Sequence, residues 1–414
     1  MAGKFRKWAL TSPDGIGDFL FRIPWLRAME EAGWTLLLIG QAPVLEVARL
    51  AGLRFQGHEL SENPYGKRVK ISRVPFRSEI RTICNFAPDR IVFGPSHPTF
   101  LEEVLSESRL PGETWGFFVQ GGPWFSESLK SPEAIARRFS HRVAIQASDP
   151  EPVRNAKAAM AMLGVPLHDR AFLFPEGSFP KSARSKGRVA VCAGRREGDY
   201  FTGWGEENWI PALRQLEATG LRFVFVGGHR EAASHACIAQ GLREPATHLD
   251  LTGKIPFVSG LLEILNGADA FVGKDGGILH LSAALGKPVV GVFGGGHWGR
   301  FLPHGTRAAV LSVKTPCRGC DWRCHLPRHL CVAGLAPGRL LEAWIHVSSP
   351  GPKDTLIMEE DLSPAHTEEL ILESHKKYPA MAHELKRSGE RTLRGIHRLP
   401  WPLSAWIQKT LFDE

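Results

Sequence analysis

Twice in this chain of 414 residues an apolar, strand-like stretch runs through a glycine-bearing turn straight into a helix-like one. The first instance leads from Phe5-Arg-Lys-Trp-Ala-Leu-Thr11 through Ser12-Pro-Asp-Gly-Ile-Gly-Asp18 into Phe19 to Gly33. Phe19, Leu20, Ile23, Leu26 and Met29 fall at helical spacing, and Gly33 is placed to stop the helix. The unbroken run Trp34-Thr-Leu-Leu-Leu-Ile-Gly40 then has the character of a strand buried on both faces of a parallel sheet. Strand, turn, helix, strand is a βαβ unit, and it restricts the fold to classes in which helices cover parallel strands.

The second half repeats the alternation. Arg188 to Gly194, Leu221 to Gly228, Ala270 to Gly273 and Val289 to Gly294 are strand-like. Trp209 to Gly220, Leu261 to Ala268 and Ile278 to Leu285 are helix-like. Strands alternating with helices predict a doubly wound parallel sheet. Pro175 to Lys186 is rich in Pro, Ser, Gly and basic residues and has the character of a linker. The expected division is therefore an N-terminal Rossmann-like domain over 1–178, a second over 179–345, and a helical extension over 346–414. Within the first domain, Arg54 to Ser140 is less regular. It contains one clear buried strand, Arg90 to Gly94, and a Gly-, Pro- and aromatic-rich loop over Gly112 to Trp124. Pro152 to Leu163 is a predicted helix ended by Gly164.

A hydrophobic fraction of 43% and a charged fraction of 23% suit a globular chain rather than a disordered one. The first residues show no signal-peptide pattern, and no apolar run is long enough to span a bilayer, so a cytoplasmic location is expected. A formal charge of +8 suits anionic partners such as nucleotide phosphates, acidic glycolipids, membrane surfaces or nucleic acid.

Two turns can carry chemistry. At Gly273-Lys-Asp-Gly-Gly-Ile-Leu-His280 a strand ends and a helix begins. The free N–H groups and positive dipole end of that helix suit a diphosphate, and the glycines let a ligand approach the backbone. Lys274 adds a cation, and Asp275 and His280 add polar groups. The plainer reading is an ordinary βα turn with His280 packed in its helix. In the other half, Asp18 stands near a helix start, where the dipole favours its charge; there it can accept a proton from an attacking hydroxyl. The plainer reading of Asp18 is a carboxylate that steadies the first helical turn.

The pair of turns resembles glycosyltransferase family 9, the ADP-heptose lipopolysaccharide heptosyltransferases and their relatives. Gly15-Ile-Gly-Asp18 followed by Ile23-Pro-Trp-Leu26 is similar to the family's Gly-x-Gly-Asp turn and Pro-x-Leu helix. Asp275-Gly-Gly-Ile-Leu-His-Leu-Ser-Ala-Ala-Leu-Gly-Lys-Pro288 resembles its Asp-Thr-Gly-x-x-His signature, and Trp204-Gly-Glu-Glu-Asn-Trp209 its Trp-x-x-x-x-Trp element. The resemblance implies a GT-B fold, two Rossmann-like domains whose parallel sheets face each other across a cleft, and an inverting transfer from a nucleoside diphosphate sugar, ADP-heptose first among the donors. It assigns Asp18 as the base. It assigns donor binding to Ala193, Gly194, Arg195, Asp275, Gly276, Gly277, Ile278 and His280, a set to which the residue reading adds Lys274 as a cation. The acceptor is a glycan, lipopolysaccharide or a protein hydroxyl, and no Asp-x-Asp motif calls for a catalytic metal. Two positions depart from the family: Thr202 stands where many members have a phosphate-binding Lys, a charge that Arg195, Arg196 or Lys254 can replace, and Gly276 stands for the usual Thr.

Cys317, Cys320, Cys324 and Cys331 lie in one short stretch. Four thiols this close suit a structural iron or zinc ion, and family relatives carry a similar run; reduced thiols in a loop are the alternative. In the tail, Trp401, Trp406, Ile407, Leu411 and Phe412 follow a basic run at Lys386 to Arg398. These residues suit either packing on the protein's own body or peripheral contact with the inner face of a membrane. Self-association is left open. Two other functions compete. A non-catalytic nucleotide or nucleic-acid binder with a metal knuckle is disfavoured, because aromatics are not interleaved with the basic residues. A dehydrogenase is disfavoured because Gly15-Ile-Gly17 runs into Phe19-Leu20 where that fingerprint needs another Gly.

Overall fold

A computed structural model describes residues 7–65, 75–94, 98–120, 132–167, 172–195, 203–315, 317–320, 324, 326 and 328–377. Arg196, Thr202 and the aromatic and basic tail lie outside the described residues. The chain divides into two compact units, Met1–Phe172 and Leu173–Glu414.

Unit 1 has strands β1 (Lys7–Ser12), β2 (Thr35–Gly40), β3 (Gln56–Glu59), β4 (Arg90–Phe93), β5 (Glu113–Gln120) and β6 (His141–Gln146). Its helices are α1 (Ile16–Glu31), α2 (Ala42–Leu50), α3 (Arg77–Phe86), α4 (Phe100–Glu107), α5 (Pro132–Ala136) and α6 (Glu151–Leu163). All strands are parallel, in the order β3-β2-β1-β4-β5-β6. Ala9, Leu37, Ile39, Ile91 and Phe93 turn to one face, where they pack with residues of α3, α4 and α5. Leu10, Leu36, Leu38 and Val92, on the alternate positions, are equally buried, which explains why these strands read as continuous apolar runs.

Two expectations are corrected here. The stretch beginning at Gly112 is not a loop throughout: Glu113–Gln120 is a strand between β4 and β6. Gly116 is what allows it, since a Cβ there would run into the ring of Phe139. The section from Arg54 to Ser140 accordingly holds three strands, β3, β4 and β5, rather than one.

Unit 2 has strands β7 (Val189–Cys192), β8 (Phe223–Phe225), β9 (Leu249–Asp250), β10 (Ala270–Lys274), β11 (Val289–Val292), β12 (Ala308–Lys314) and β13 (Thr355–Asp361). Its helices are α7 (Glu206–Glu217), α8 (Ala232–Gln240), α9 (Val258–Gly267), α10 (Gly277–Ala284), α11 (Leu330–Ala333), α12 (Arg339–Ser348) and α13 (Pro364–Lys377). The strands are again all parallel, ordered β13-β12-β11-β10-β7-β8-β9. Val189, Val191, Phe223, Phe225, Val272, Val290, Val292, Leu311 and Val313 form one core with α7 and α12, together with Trp204 and Trp209. The stretch after 345 is not helical throughout: α12 ends at Ser348, and β13 then extends the sheet, pairing from Ala308↔Thr355 to Lys314↔Asp361, before α13 begins.

Each unit is thus a Rossmann-like α/β layer structure. In each, the first strand of the unit lies beside the fourth, and the chain leaves these two strands in opposite directions along the sheet. Ligands of open α/β sheets sit at that divergence, beyond the carboxyl ends of the two strands. Among the described residues no helix is long and apolar enough to cross a membrane.

Candidate active site

In unit 2 the divergence falls between β7 and β10, and the turn from β10 into α10 stands on it. Asp275 N–H donates to Val292 O (2.9 Å), which fixes the turn to the end of β11. Gly276 is the N-cap of α10, and the first-turn N–H groups that follow have no carbonyl to reach within the helix. A Cβ at Gly276 would meet nothing within 4 Å, so the position opens onto free space. His280, one turn into α10, is buried with Nε2 3.7 Å from Asp275 Oδ1.

The β7 end reaches the same place. Lys274 Nζ lies 3.5 Å from Gly194 O and 3.3 Å from Glu231 Oε1. Gly194 has φ +71°, the left-handed region, and a Cβ there would overlap Ser234 Oγ. Arg195 N–H donates to Ser234 Oγ (2.9 Å), while its guanidinium pairs with Glu206 (3.0 Å) and with Glu207 (3.0 Å). Burial opposes charge on Glu206, but the hydrogen bond from Ser234, the helix start and Arg195 outweigh it and hold its carboxyl below the usual range. Ala193 N–H donates to His235 Nε2 (3.0 Å), and His235 Nδ1 lies 2.6 Å from Thr252 Oγ1. Burial pushes His235 down to about 4, so the ring is neutral at pH 7. With Nε2 accepting from the backbone, the ring proton sits on Nδ1 and is donated to Thr252.

In unit 1 the divergence falls between β1 and β4, and Asp18 stands on α1 beyond the end of β1. Asp18 is the third residue after the N-cap Gly15, in the helix's first turn. Around it lies a polar set in which Arg22, Asp14 and Glu102 are buried and Tyr65 is exposed. Arg22 donates from Nη1 to Ser12 Oγ (2.7 Å) and from Nη2 to Asp14. Tyr65 donates from its hydroxyl to Asp14 Oδ1 (2.7 Å), and Gln41 from Nε2 to Pro13 O (2.5 Å). Thr11 donates to Glu102 Oε1 (2.8 Å), whose carboxyl burial pushes up.

Residues 136–326 match the family model of glycosyltransferase family 9 (heptosyltransferase), a span that takes in β7 to β12 and the whole turn from β10 into α10. The chain is a glycosyltransferase whose residues 136–326 are similar to family 9. Its fold is shared with solved structures of low sequence identity. A family 9 glycosyltransferase from Veillonella parvula superposes with a TM-score of 0.59 at 13% identity, covering 84% of this chain and 98% of that one. Escherichia coli heptosyltransferase WaaC, solved with ADP-2-deoxy-2-fluoro heptose, gives 0.57 at 16%, covering 83% and 100%. E. coli ADP-heptose lipopolysaccharide heptosyltransferase II gives 0.56 at 16%, covering 82% and 98%. No curated protein matches the chain by sequence.

The structure brings Ala193, Gly194, Arg195, Lys274 and Asp275 of this glycosyltransferase to adjacent strand ends. It adds Glu206, Glu231, Ser234 and His235, which the sequence did not single out. Those four sit in or beside α7 and α8, whose composition reads simply as helix. Lys254 is turned elsewhere, with Nζ donating to Asp250 O (2.8 Å). The four clustered thiols all fall among the described residues. Cys317, Cys320 and Cys331 are buried and Cys324 half-buried. Burial pushes Cys331 up to about 12 and moves Cys317 the same way. Among the described residues no three His, Cys, Asp or Glu side chains are arranged to hold a metal ion. The donor chemistry nevertheless suits iron or zinc, and Cys317 and Cys324 lie near enough to Cys331 to disfavour its thiolate.

Proposed function

We propose that this glycosyltransferase moves a heptose from ADP-heptose to a hydroxyl of a glycan, lipopolysaccharide or protein acceptor, with inversion at the anomeric carbon. The observation that carries the reading is the joint placement of the Gly276 turn, Lys274 and Arg195 at the strand divergence of unit 2, inside the family-matched span. A nucleoside diphosphate there meets helix N–H groups and two cations, which is what a departing diphosphate needs. Gly276, Gly277 and Ile278 supply the backbone at the phosphates, and His280 and Asp275 supply polar side chains toward the sugar.

Asp18 is the base in this reading. The acceptor oxygen bonds to the anomeric carbon as the carbon–oxygen bond to the diphosphate breaks. The hydroxyl proton passes to Asp18, and the electron pair of the broken bond leaves on ADP. The transition state has oxocarbenium character, as in glycosyl transfers generally. Asp18→Asn is expected to lower turnover by roughly 10²–10⁴-fold, the usual worth of a general base. Binding of ADP-heptose by calorimetry should stay within about twofold of the parent. Undiminished turnover in Asp18→Asn would remove it as the base.

The four thiols, in the same reading, hold a structural iron or zinc at Cys317, Cys320, Cys324 and Cys331. Elemental analysis of the purified chain checks it. One iron or zinc per chain, lost in Cys320→Ser, supports the site; a metal-free chain of the same thermal stability ends it.

A further inference from the structure

We propose that Arg22 is the positioning residue of the base, its guanidinium holding the Asp18 turn in shape and fixing the charge state of Asp18. The inference rests on the reading of Asp18 as base and goes beyond it by naming what sets that carboxylate. Asp18 and Arg22 are four residues apart on α1, so their side chains project from the same face one turn apart. Arg22 is only 1% exposed and therefore cannot serve as a ligand-binding cation. Its two terminal nitrogens are used inside the protein: Nη1 on Ser12 at the end of β1, and Nη2 on Asp14 in the turn. Tyr65, from the loop after β3, closes the other oxygen of Asp14 (2.7 Å). The guanidinium packs close to Gly94, just past β4: a Cβ built there would make ordinary contact with Arg22 Cζ (3.5 Å).

Among the described residues, the titratable groups that share this region include Asp14 from the turn, Glu151 from the start of α6, Glu102 from α4, Tyr65 after β3 and Asp18 itself. Burial works against charge on Arg22, but Asp14, Glu151 and Asp18 outweigh it and hold the guanidinium charged. The arrangement therefore gathers several carboxylates around a buried cation. Asp14 is the carboxylate that touches it, and Asp18 shares its field.

The field of that cation gives two substitutions opposite signs. Arg22→Gln removes the cation and keeps polar groups facing Ser12 and Asp14. Asp14→Asn keeps the cation and removes the anion beside it. The test is the titration of the Asp18 carboxyl in the full chain, followed by NMR with 13C-labelled aspartate and assigned by the signal missing in Asp18→Asn. Arg22→Gln is expected to move that titration up by about one pH unit, Asp14→Asn to move it down, and Arg22→Lys to leave it within about 0.3 units. The acid limb of the ADP-release profile, measured with ADP-heptose and water as background acceptor, should follow the same order. Titrations that stay put, or that move the same way in Arg22→Gln and Asp14→Asn, overturn the proposal. Should Arg22→Gln fail to fold, the downward shift in Asp14→Asn still decides. The titration is read without turnover. A fully active Asp18→Asn with the shifts intact would therefore sink the base assignment and leave the electrostatic link standing.

Discussion

His235 makes the loop after β7 sensitive to acid in a way that can be worked out in advance. Its ring is completely buried, accepts the Ala193 N–H and titrates at about 4 against an ordinary 6.5. The folded state binds this proton less readily than the unfolded chain. The stabilising contribution is therefore complete above about pH 6.5 and is lost as pH falls toward 4. A depression of about 2.5 units corresponds to about 3 kcal/mol across that window. His235→Gln is the matched perturbation, since its amide can accept from Ala193, donate to Thr252 and cannot titrate. Urea unfolding of both chains at pH 7.0, 5.5 and 4.0 gives two stability curves. Their difference isolates the imidazole, because the buried carboxylates and His329 are common to both. The parent should lose about 3 kcal/mol more than the variant between pH 7 and pH 4, with most of the divergence below pH 6. Parallel curves would refute the reasoning, and so would a variant that loses more than the parent.

Two further outcomes bear on the same strand ends. Gly194→Ala should destabilise the chain by at least about 2 kcal/mol, from the left-handed backbone and the overlap with Ser234. Gly276→Thr, opening onto free space, should leave the thermal midpoint unchanged, and differential scanning calorimetry separates the two. Lys274→Met should weaken ADP binding by about 10–100-fold, the worth of a charge-assisted hydrogen bond to phosphate. An unchanged dissociation constant by isothermal titration would place the diphosphate elsewhere.

The parallel strands were legible because burial on both faces leaves an unbroken apolar run. Leu36 to Ile39 and Val289 to Val292 have no polar residue to hide them. The glycine turns were legible because close backbone approach needs glycine. What the sequence concealed had physical reasons. β5 was masked by Gly116, which looks like a loop residue until Phe139 is seen filling the space beside it. β13 carries Glu359, Glu360 and Asp361 and only intermittent apolar residues, since it is an edge strand partly open to water. Glu231, Ser234 and His235 act through distant backbone and side-chain partners, a relation that local spacing does not encode. The same holds for Arg22, whose place in α1 says nothing of its bonds to Ser12 and Asp14.

The cations at the unit 2 turn are already paired: Lys274 with Glu231, Arg195 with Glu206 and Glu207. In the proposed reading an incoming diphosphate exchanges counter-ions rather than filling a bare positive well, and bonds to its oxygens are made at the expense of bonds to these carboxylates. A simple polyanion leaves those freed carboxylates facing its own charge. A ligand that joins phosphates to vicinal hydroxyls can donate hydrogen bonds to them and settle both halves of the exchange. Under the proposed donor assignment the site therefore favours sugar-bearing phosphates over phosphate as such, despite the net charge of +8 that would draw any polyanion toward the chain.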